Sequence, residues 1–394
     1  MKVKEFATVV NGATPSSKCP EYYDGDIAWF TPKDLSDQGT KYVSVPERYI
    51  TQEGYDSCST SMLPAGSVLM SSRAPIGLLA ISTVPCCTNQ GFKSFNVDTK
   101  KCDSEYLYYY LKHHIKEIEA LGSGTTFKEV SKESVENYDV FLPDVDIQKS
   151  LVKVLSEIDS KISNNNAICS DLEAMAKLLY DYWFVQFDFP DENGKPYKSS
   201  GGKMVWNEEL KREIPAGWEV KKIGMVANLY QPKTISEKEL IPYGKYLVYG
   251  ANGIVGRYDK YNHEKNEVAI CCRGASCGQY VMTQPYAWIT GNAMVVTPKS
   301  YEISREFLYY GLSLPTISKF ITGSAQPQIT RTNLEQMKII VPTKELLKEF
   351  ENIASKIRQQ LQNLFDENQE LTSMRDFLLP MLMNGQVKIG GADL

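Results

Sequence analysis

The run Ile147-Gln148-Lys149-Ser150-Leu151-Val152-Lys153-Val154-Leu155-Ser156-Glu157-Ile158 opens the stretch that decides the fold of this 394-residue chain. From Ile147, apolar residues recur at Leu151, Val154, Ile158, Ile162, Ile168, Leu172, Met175, Leu179 and Tyr182, interrupted at Asn165. Steps of three and four residues predict a helix with a narrow apolar seam rather than a broad stripe facing a globular core. At roughly 1.5 Å per residue, a helix of about 40 residues is about 60 Å long, too long to be covered by one small domain. It needs a partner of equal length. One lies at the far end of the chain, where Leu346, Phe350, Ile353, Ile357, Leu361, Leu364, Leu371, Met374, Leu378 and Met381 repeat with a similar spacing. We expect the shared seam to be built from Leu151, Val154, Ile158, Leu172, Met175 and Leu179 on one helix, and from Phe350, Ile353, Ile357, Leu361, Leu371 and Leu378 on the other.

Each helix follows a similar stretch of mixed character, because the chain repeats itself at an offset of about 200 residues. Val68-Leu69-Met70-Ser71-Ser72-Arg73-Ala74-Pro75-Ile76-Gly77 matches Val268 to Gly278 as a short strand, two small residues, an arginine and a glycine turn. Ser104 to Leu111 matches Arg305 to Leu312, and Phe141-Leu142-Pro143 returns as Ile340-Val341-Pro342 before the second helix. The repeat boundaries place domains at 1–143 and 218–342, long helices at 144–187 and 343–385, an exposed connector at 188–217 and a tail at 386–394. The repeats diverge at Asn11 to Ser16 and Ile27 to Leu35 in the first and at Leu247 to Tyr258 in the second. One scaffold with two different faces predicts two different targets.

Composition narrows the chemistry. A hydrophobic content of 42% is that of ordinary globular protein, and no window is long and apolar enough for a signal peptide or a membrane span, so a cytoplasmic location is expected. The net charge of -5 argues against indiscriminate coating of nucleic acid without excluding a local basic groove. Nine scattered cysteines form no disulfide framework or CxxC pair, and three histidines are too few for a metal cluster. No G-x-G-x-x-G loop sits in a βαβ unit and no G-x-x-x-x-G-K-[ST] run exists, which speaks against dinucleotide, methyl-donor and ATP chemistry on this chain. Asp191, Glu209 and Lys211 mimic the acid and E-x-K pattern of Mg²⁺ nucleases, but they fall in the polar connector, where Glu208 to Glu213 reads as a solvated helical turn. No catalytic, metal or cofactor site is assigned.

Binding is a different matter. Arg73 and Arg273 occupy equivalent points before a glycine turn, where a guanidinium reaches guanine or phosphate oxygens, or else forms a salt bridge that fixes the turn. The candidate DNA-contacting set is Ser72, Arg73, Asn89, Gln90, Lys93, Thr125, Thr126 and Lys128 in the first repeat. In the second it is Arg257, Arg273, Gln279, Asn292, Ser324, Gln326, Gln328 and Arg331. The tyrosine runs Tyr108 to Tyr110 and Tyr309-Tyr310 read as core rather than as base-stacking platforms.

Three local motifs now carry a resemblance. They are Leu178-Leu179-Tyr180-Asp181-Tyr182-Trp183-Phe184, the connector from Phe189-Pro190-Asp191 through Gly194-Lys195-Pro196-Tyr197 to Ile214-Pro215-Ala216-Gly217-Trp218, and Arg375 to Pro380 with Met383-Asn384-Gly385. With the repeat, they make the whole chain resemble the specificity subunit of type I restriction-modification systems. The resemblance implies an α+β fold with two tandem mixed α/β target-recognition domains and two long helices forming an antiparallel coiled coil. It also implies a non-catalytic subunit that reads a bipartite, asymmetric site in double-stranded DNA. The expected partners are two methyltransferase subunits, which carry S-adenosylmethionine, and ATP- and Mg-dependent restriction subunits. The alternative is a tandem-repeat protein-binding scaffold that never touches DNA.

Overall fold

The computed structural model describes residues 1–124, 128–250, 253–300, 303–312, 314–323, 326–384 and 386. Chain contacts divide it into two compact units: Met1–Asn166 together with the C-terminal stretch from Asp366, and Ala167–Phe365. Each unit combines one recognition domain with parts of both long helices, so the cut passes through the helices rather than between them and the domains. The reason is burial. A narrow seam cannot cover a helix on all sides, and each recognition domain covers the helix segments that lie beside it.

In the first unit, β1 (Ala7–Asn11), β2 (Tyr23–Phe30), β3 (Tyr42–Val43), β4 (Arg48–Ile50), β5 (Val68–Ser72), β6 (Ile76–Ser82), β7 (Cys86–Thr88) and β8 (Lys93–Val97) form two sheets, ordered β1-β8-β5-β6-β3 and β4-β2-β7. Helix α1 (Ser104–His113) starts at Asp103, whose carboxylate accepts from the amides of Glu105 and Tyr106. It buries Tyr106, Tyr108, Tyr109 and Tyr110 in the core, as core tyrosines rather than stacking platforms. Helix α2 runs from Val145 to Tyr180 and continues as a wider π turn over Asp181–Val185.

The second unit contains β9 (Met204–Asn207), β10 (Arg212–Pro215), β11 (Glu219–Lys222), β12 (Ala227–Tyr230), β13 (Tyr246–Gly250), β14 (Gly253–Tyr258), β15 (Val268–Cys271), β16 (Tyr280–Met282), β17 (Trp288–Ile289), β18 (Ala293–Pro298) and β19 (Lys338–Val341). Its main sheets are β12-β18-β15-β16 and β14-β13-β17. Helix α3 (Arg305–Gly311) mirrors α1, and α4 (Lys344–Met383) mirrors α2. The repeat extends to the domain starts, since β11 pairs with β19 just as Lys2 bridges Asp139 and the Val3 amide donates to Tyr138 O.

The connector is ordered, not merely exposed. Strands β9 and β10 form an antiparallel hairpin, so residues 208–211 turn between strands rather than forming a helical turn. Phe187, Ile214 and Trp218 are buried in the second unit's core, and Phe189 stacks on both Tyr197 and Trp218. Within the connector, a polar average hid Phe189 and Ile214, which anchor it between Phe187 and Trp218.

The long helices pair antiparallel in both units. In the first, Arg375 bonds Asp159 at 2.9 Å and Asn165 bonds Asn368 at 2.9 Å. In the second, Arg358 lies 3.5 Å from Glu173, and the rings of Tyr180 and Phe350 are 5.9 Å apart. Leu151, Ile158, Phe350, Ile357 and Leu361 are buried, but Val154, Met175 and Ile353, expected in the seam, are exposed. The seam positions of α2, each buried or half-buried, are Leu151, Leu155, Ile158, Ile162, Asn165, Cys169, Leu172, Ala176 and Leu179, in strictly alternating steps of four and three. Those of α4 are Leu347, Phe350, Ala354, Ile357, Leu361, Leu364, Asn368, Leu371, Arg375, Leu378 and Leu382. The heptad holds the seam to a mean step of about 3.5 residues; choosing the bulkiest neighbour slips by one position where the true seam residue is small, as at Ala176 and Ala354, and Val154 lies a step of three after Leu151 where the heptad steps four.

Candidate nucleic-acid interface

Three segments far apart in sequence meet at one end of the first unit's larger sheet. The chain leaves β5 at Ser72 and turns through Arg73 into β6, a turn tied by the Ser71 hydroxyl, which donates to Pro75 O and accepts from the Leu78 amide. The Ser72 amide donates to Gly91 O at 2.7 Å, and the Val130 amide donates to Ser72 O at 3.0 Å. Residues 89–92 and 128–130 are thereby clamped on either side of Ser72, next to Arg73. A fourth segment joins them where Gly12 meets the carbonyls of Thr88 and Asn89 so closely that a Cβ would stand 2.1 Å from Asn89 O. That approach brings Thr14 to Gln90, to which its hydroxyl donates.

The centre of this cluster is Glu129, which the sequence did not single out. Its Oε1 accepts from Lys93 Nζ at 3.1 Å and from the Ser72 hydroxyl at 3.4 Å, and its Oε2 lies 3.7 Å from Arg73 Nη1. Ser72 and Lys93 are buried and hold Glu129 from inside, so neither presents itself at the surface. Asn89 uses its side-chain oxygen to accept from the Gly91 amide, as a turn residue. Gln90 and Lys128 are exposed. Thr125 and Thr126 lie outside the described residues.

The second unit repeats the clamp with other side chains. The Cys272 amide donates to Asn292 O at 3.1 Å, the Ile329 amide to Cys272 O at 2.9 Å, and the Gly274 amide to Pro327 O at 3.1 Å. Arg273 and Gln328 form a bridge, so Gln328 stands where Glu129 stands in the first unit. Met294 occupies the place of Lys93. Arg273, Gln279, Asn292, Gln326 and Gln328 are at least partly exposed, and among the described residues no carboxylate forms an ion pair with Arg273. This end therefore presents a guanidinium beside carboxamides, the donor and acceptor set suited to purine edges and phosphates.

The remaining candidates lie elsewhere. Arg257, on β14, donates to the carbonyls of Gly244 and Lys245, and Arg331 pairs with Glu335 one helical turn on. Ser324 lies outside the described residues. Asp191 accepts from the amides of Asn193 and Lys195, Glu209 pairs with Lys338 and Lys211 pairs with Glu208, so the nuclease-like trio shares no partner. Burial pushes the thiol of Cys272 up to about 11, keeping it protonated at neutral pH. No group of His, Cys, Asp and Glu among the described residues could hold a metal ion, and no described helix is long and apolar enough to cross a membrane.

Comparison with known proteins places this arrangement. The family model of the type I restriction modification DNA specificity domain matches residues 1–174 and 215–372, one match for each repeat. The chain is 30% identical to the type I restriction enzyme MjaIX specificity subunit of Methanocaldococcus jannaschii, covering 98% of this chain and 93% of that one. It is 24% identical to the EcoprrI specificity subunit of Escherichia coli, covering 85% and 81%. Its fold is similar to the crystal structure of a type I restriction-modification system S subunit from M. genitalium, with a TM-score of 0.58, 18% identity and coverage of 97% and 95%. The duplicated domains, the paired long helices and these matches agree: the chain belongs to the type I restriction-modification specificity subunits, the non-catalytic family that gives such systems their DNA sequence specificity.

Proposed function

We propose that each repeat reads one part of a bipartite, asymmetric DNA site through its three-segment clamp, while the chain docks methyltransferase and restriction subunits that do the chemistry. The observation that carries this reading is that one backbone arrangement recurs in both repeats with different side chains at its centre: Arg73 with Glu129 and Lys93 in one, Arg273 with Gln328 and Met294 in the other. A shared frame suits a shared substrate, the duplex, and the altered centre suits a different base sequence. S-adenosylmethionine, ATP and Mg are assigned to the partner subunits, and the complex to the cytoplasm.

Sequencing of modified bases on single DNA molecules, in a host with and without this chain, tests the reading. A two-part motif with an unread spacer should disappear on deletion. A methylome that does not change would favour the alternative, a scaffold that binds only proteins. Removing one matched heptad from each of α2 and α4 should shorten the spacer and leave both half-sites intact.

A further inference from the structure

Aligning Pro143 with Pro342 lays the two helices over one another as repeats. Leu151 then falls on Phe350, Leu155 on Ala354, Ile158 on Ile357, Ile162 on Leu361, Asn165 on Leu364 and Cys169 on Asn368. Two helices so alike in their seams could each pair with a second copy of itself. The apolar layers offer little discrimination: Leu151 and Phe350, Ile158 and Ile357, and Ile162 and Leu361 are bulky at the same points, and Leu155 and Ala354, though unequal, would each meet a leucine, Leu179 or Leu378, in either kind of pair.

Asn165 breaks this equivalence. It is fully buried, and its Nδ2 donates to Glu367 Oε2 at 2.8 Å and to Asn368 Oδ1 at 2.9 Å, while Asn368 Nδ2 donates to Asn166 Oδ1 at 2.9 Å. The layer related to it by the repeat carries Cys169 and Leu364, without an amide. Asn165 Oδ1 has no hydrogen-bond partner among the described residues. A leucine, as at position 364, would avoid that orphaned acceptor, so stability is a poor reason for an asparagine here. The half-buried charges sort in the same sense. Asp159 and Glu173 both lie on α2, and their partners Arg375 and Arg358 both lie on α4. Lys161 with Glu367 runs the other way, but with side chains 51% and 42% exposed it is weaker than Asp159 with Arg375, at 13% and 17%.

We propose that the asparagine layer and these two charge pairs select the partner in the seam: they make α2 pair with α4 and reject a second copy of the chain. An antiparallel pair of two α2 helices in the same register would set Asn165 against Cys169 twice and bring Asp159 near Glu173. A pair of two α4 helices would set Asn368 against Leu364 twice and bring Arg358 near Arg375. Each homotypic pair thus buries unmatched amides and opposes like charges, whereas the α2 with α4 pair does neither. The inference stands on helix pairing alone and does not depend on DNA reading.

The test transposes the asparagine between the repeats in the full-length chain. In N165L/L364N, the carboxamide moved to position 364 meets Asn368 only in another copy, and two α2 helices face each other through apolar position 165 and Cys169. Each chain is unfolded in denaturant, refolded at high protein concentration, since covalent connection favours pairing within one chain, and weighed by native mass spectrometry. The parent should give chiefly the one-chain mass. Each transposed chain has two mismatched layers when paired within itself and none when paired with another copy, so at roughly tenfold per layer it should gain about a hundredfold per chain toward the two-chain mass. N165L/N368L, which matches every pairing equally, should give an intermediate distribution and melt no lower than the parent. A transposed chain that keeps the parent's mass distribution overturns the proposal. So does N165L/N368L if it melts lower with its mass distribution unchanged, because the layer would then serve stability alone.

Discussion

At the clamp, the first repeat holds its arginine beside an acid, whereas among the described residues no carboxylate forms an ion pair with the arginine of the second. Arg73 lies beside Glu129, which Lys93 and Ser72 grip from the buried side, while the main chain of Arg273 forms a β-bridge with that of the neutral Gln328. The backbones of the two clamps share their cross-segment hydrogen bonds, so the difference arises from three side chains, Glu129, Lys93 and Ser72 in the first against Gln328, Met294 and Cys272 in the second. The lesson is that a duplicated frame can change the side chains it presents while keeping its hydrogen bonds: the added buried cation requires the added anion, and the pair then restrains the arginine above it.

The largest effect that bears on this comparison is expected in the second unit's core, where the frame itself is held. Phe350 is buried among Tyr180, Trp183 and Phe184, and Phe350→Ala should cost about 3–5 kcal/mol of unfolding free energy in denaturant titrations. Its repeat counterpart, Leu151→Ala, should cost at the lower end of about 2–5 kcal/mol. If the two losses were equal, the aromatic cluster would add nothing to that frame.

Next comes the second repeat's arginine. Arg273→Ala should weaken one half of the DNA site by about 1–3 kcal/mol and spare the other, read as modification frequency at motifs altered in one half. Equal losses at both halves would mean that Arg273 supports the fold. Arg73→Ala should cost less, below about 1 kcal/mol, because its charge is already partly answered by Glu129. The comparison sharpens in a double-mutant cycle. In a K93M/E129Q background, which copies the second repeat's centre, Arg73→Ala should cost as much as Arg273→Ala does. A cost unchanged by that background would show that Glu129 does not restrain the arginine.

The smallest expected effect is on pH dependence, and it has opposite signs in the two units. Burial pushes the Glu105 carboxyl up, but hydrogen bonds from Ser156, Tyr42 and Lys41 together outweigh it and leave its pKa below the ordinary 4.5. Its contribution is therefore present above that value and lost as pH falls through the lower, folded one. Burial leaves Glu351 above its ordinary 4.5, so the charged form is penalised in the fold and that penalty sets in as pH rises from about 4.5. Unfolding measured from neutral to mildly acidic pH should show E105Q reducing the acid loss and E351Q removing the penalty at neutral pH. The same slope in both variants would contradict the opposite signs.

Much of this architecture was legible from spacing. The two long helices, their pairing, the repeat and the buried tyrosines follow from which residues recur and at what interval. The misplaced seam residues share one physical origin, in that hydrophobicity does not report the phase on which their position depends. Val154, Met175 and Ile353 are large and apolar but one step out of the heptad, while Leu155, Ala176 and Ala354 hold the seam. Asn165, which interrupts the apolar spacing, is itself a seam residue. Glu129 was illegible for another reason: its meaning depends on Lys93, Ser72 and Arg73, which are near it only once the chain has folded.

Sequence alone determined that this chain is two copies of one plan, because periodicity and repetition are properties of order along the chain. Tertiary structure alone decided which arginine has an acid beside it, which cation holds that acid from within and which asparagine faces which, because charge pairing and burial act over a few ångströms of space, whatever the separation in sequence.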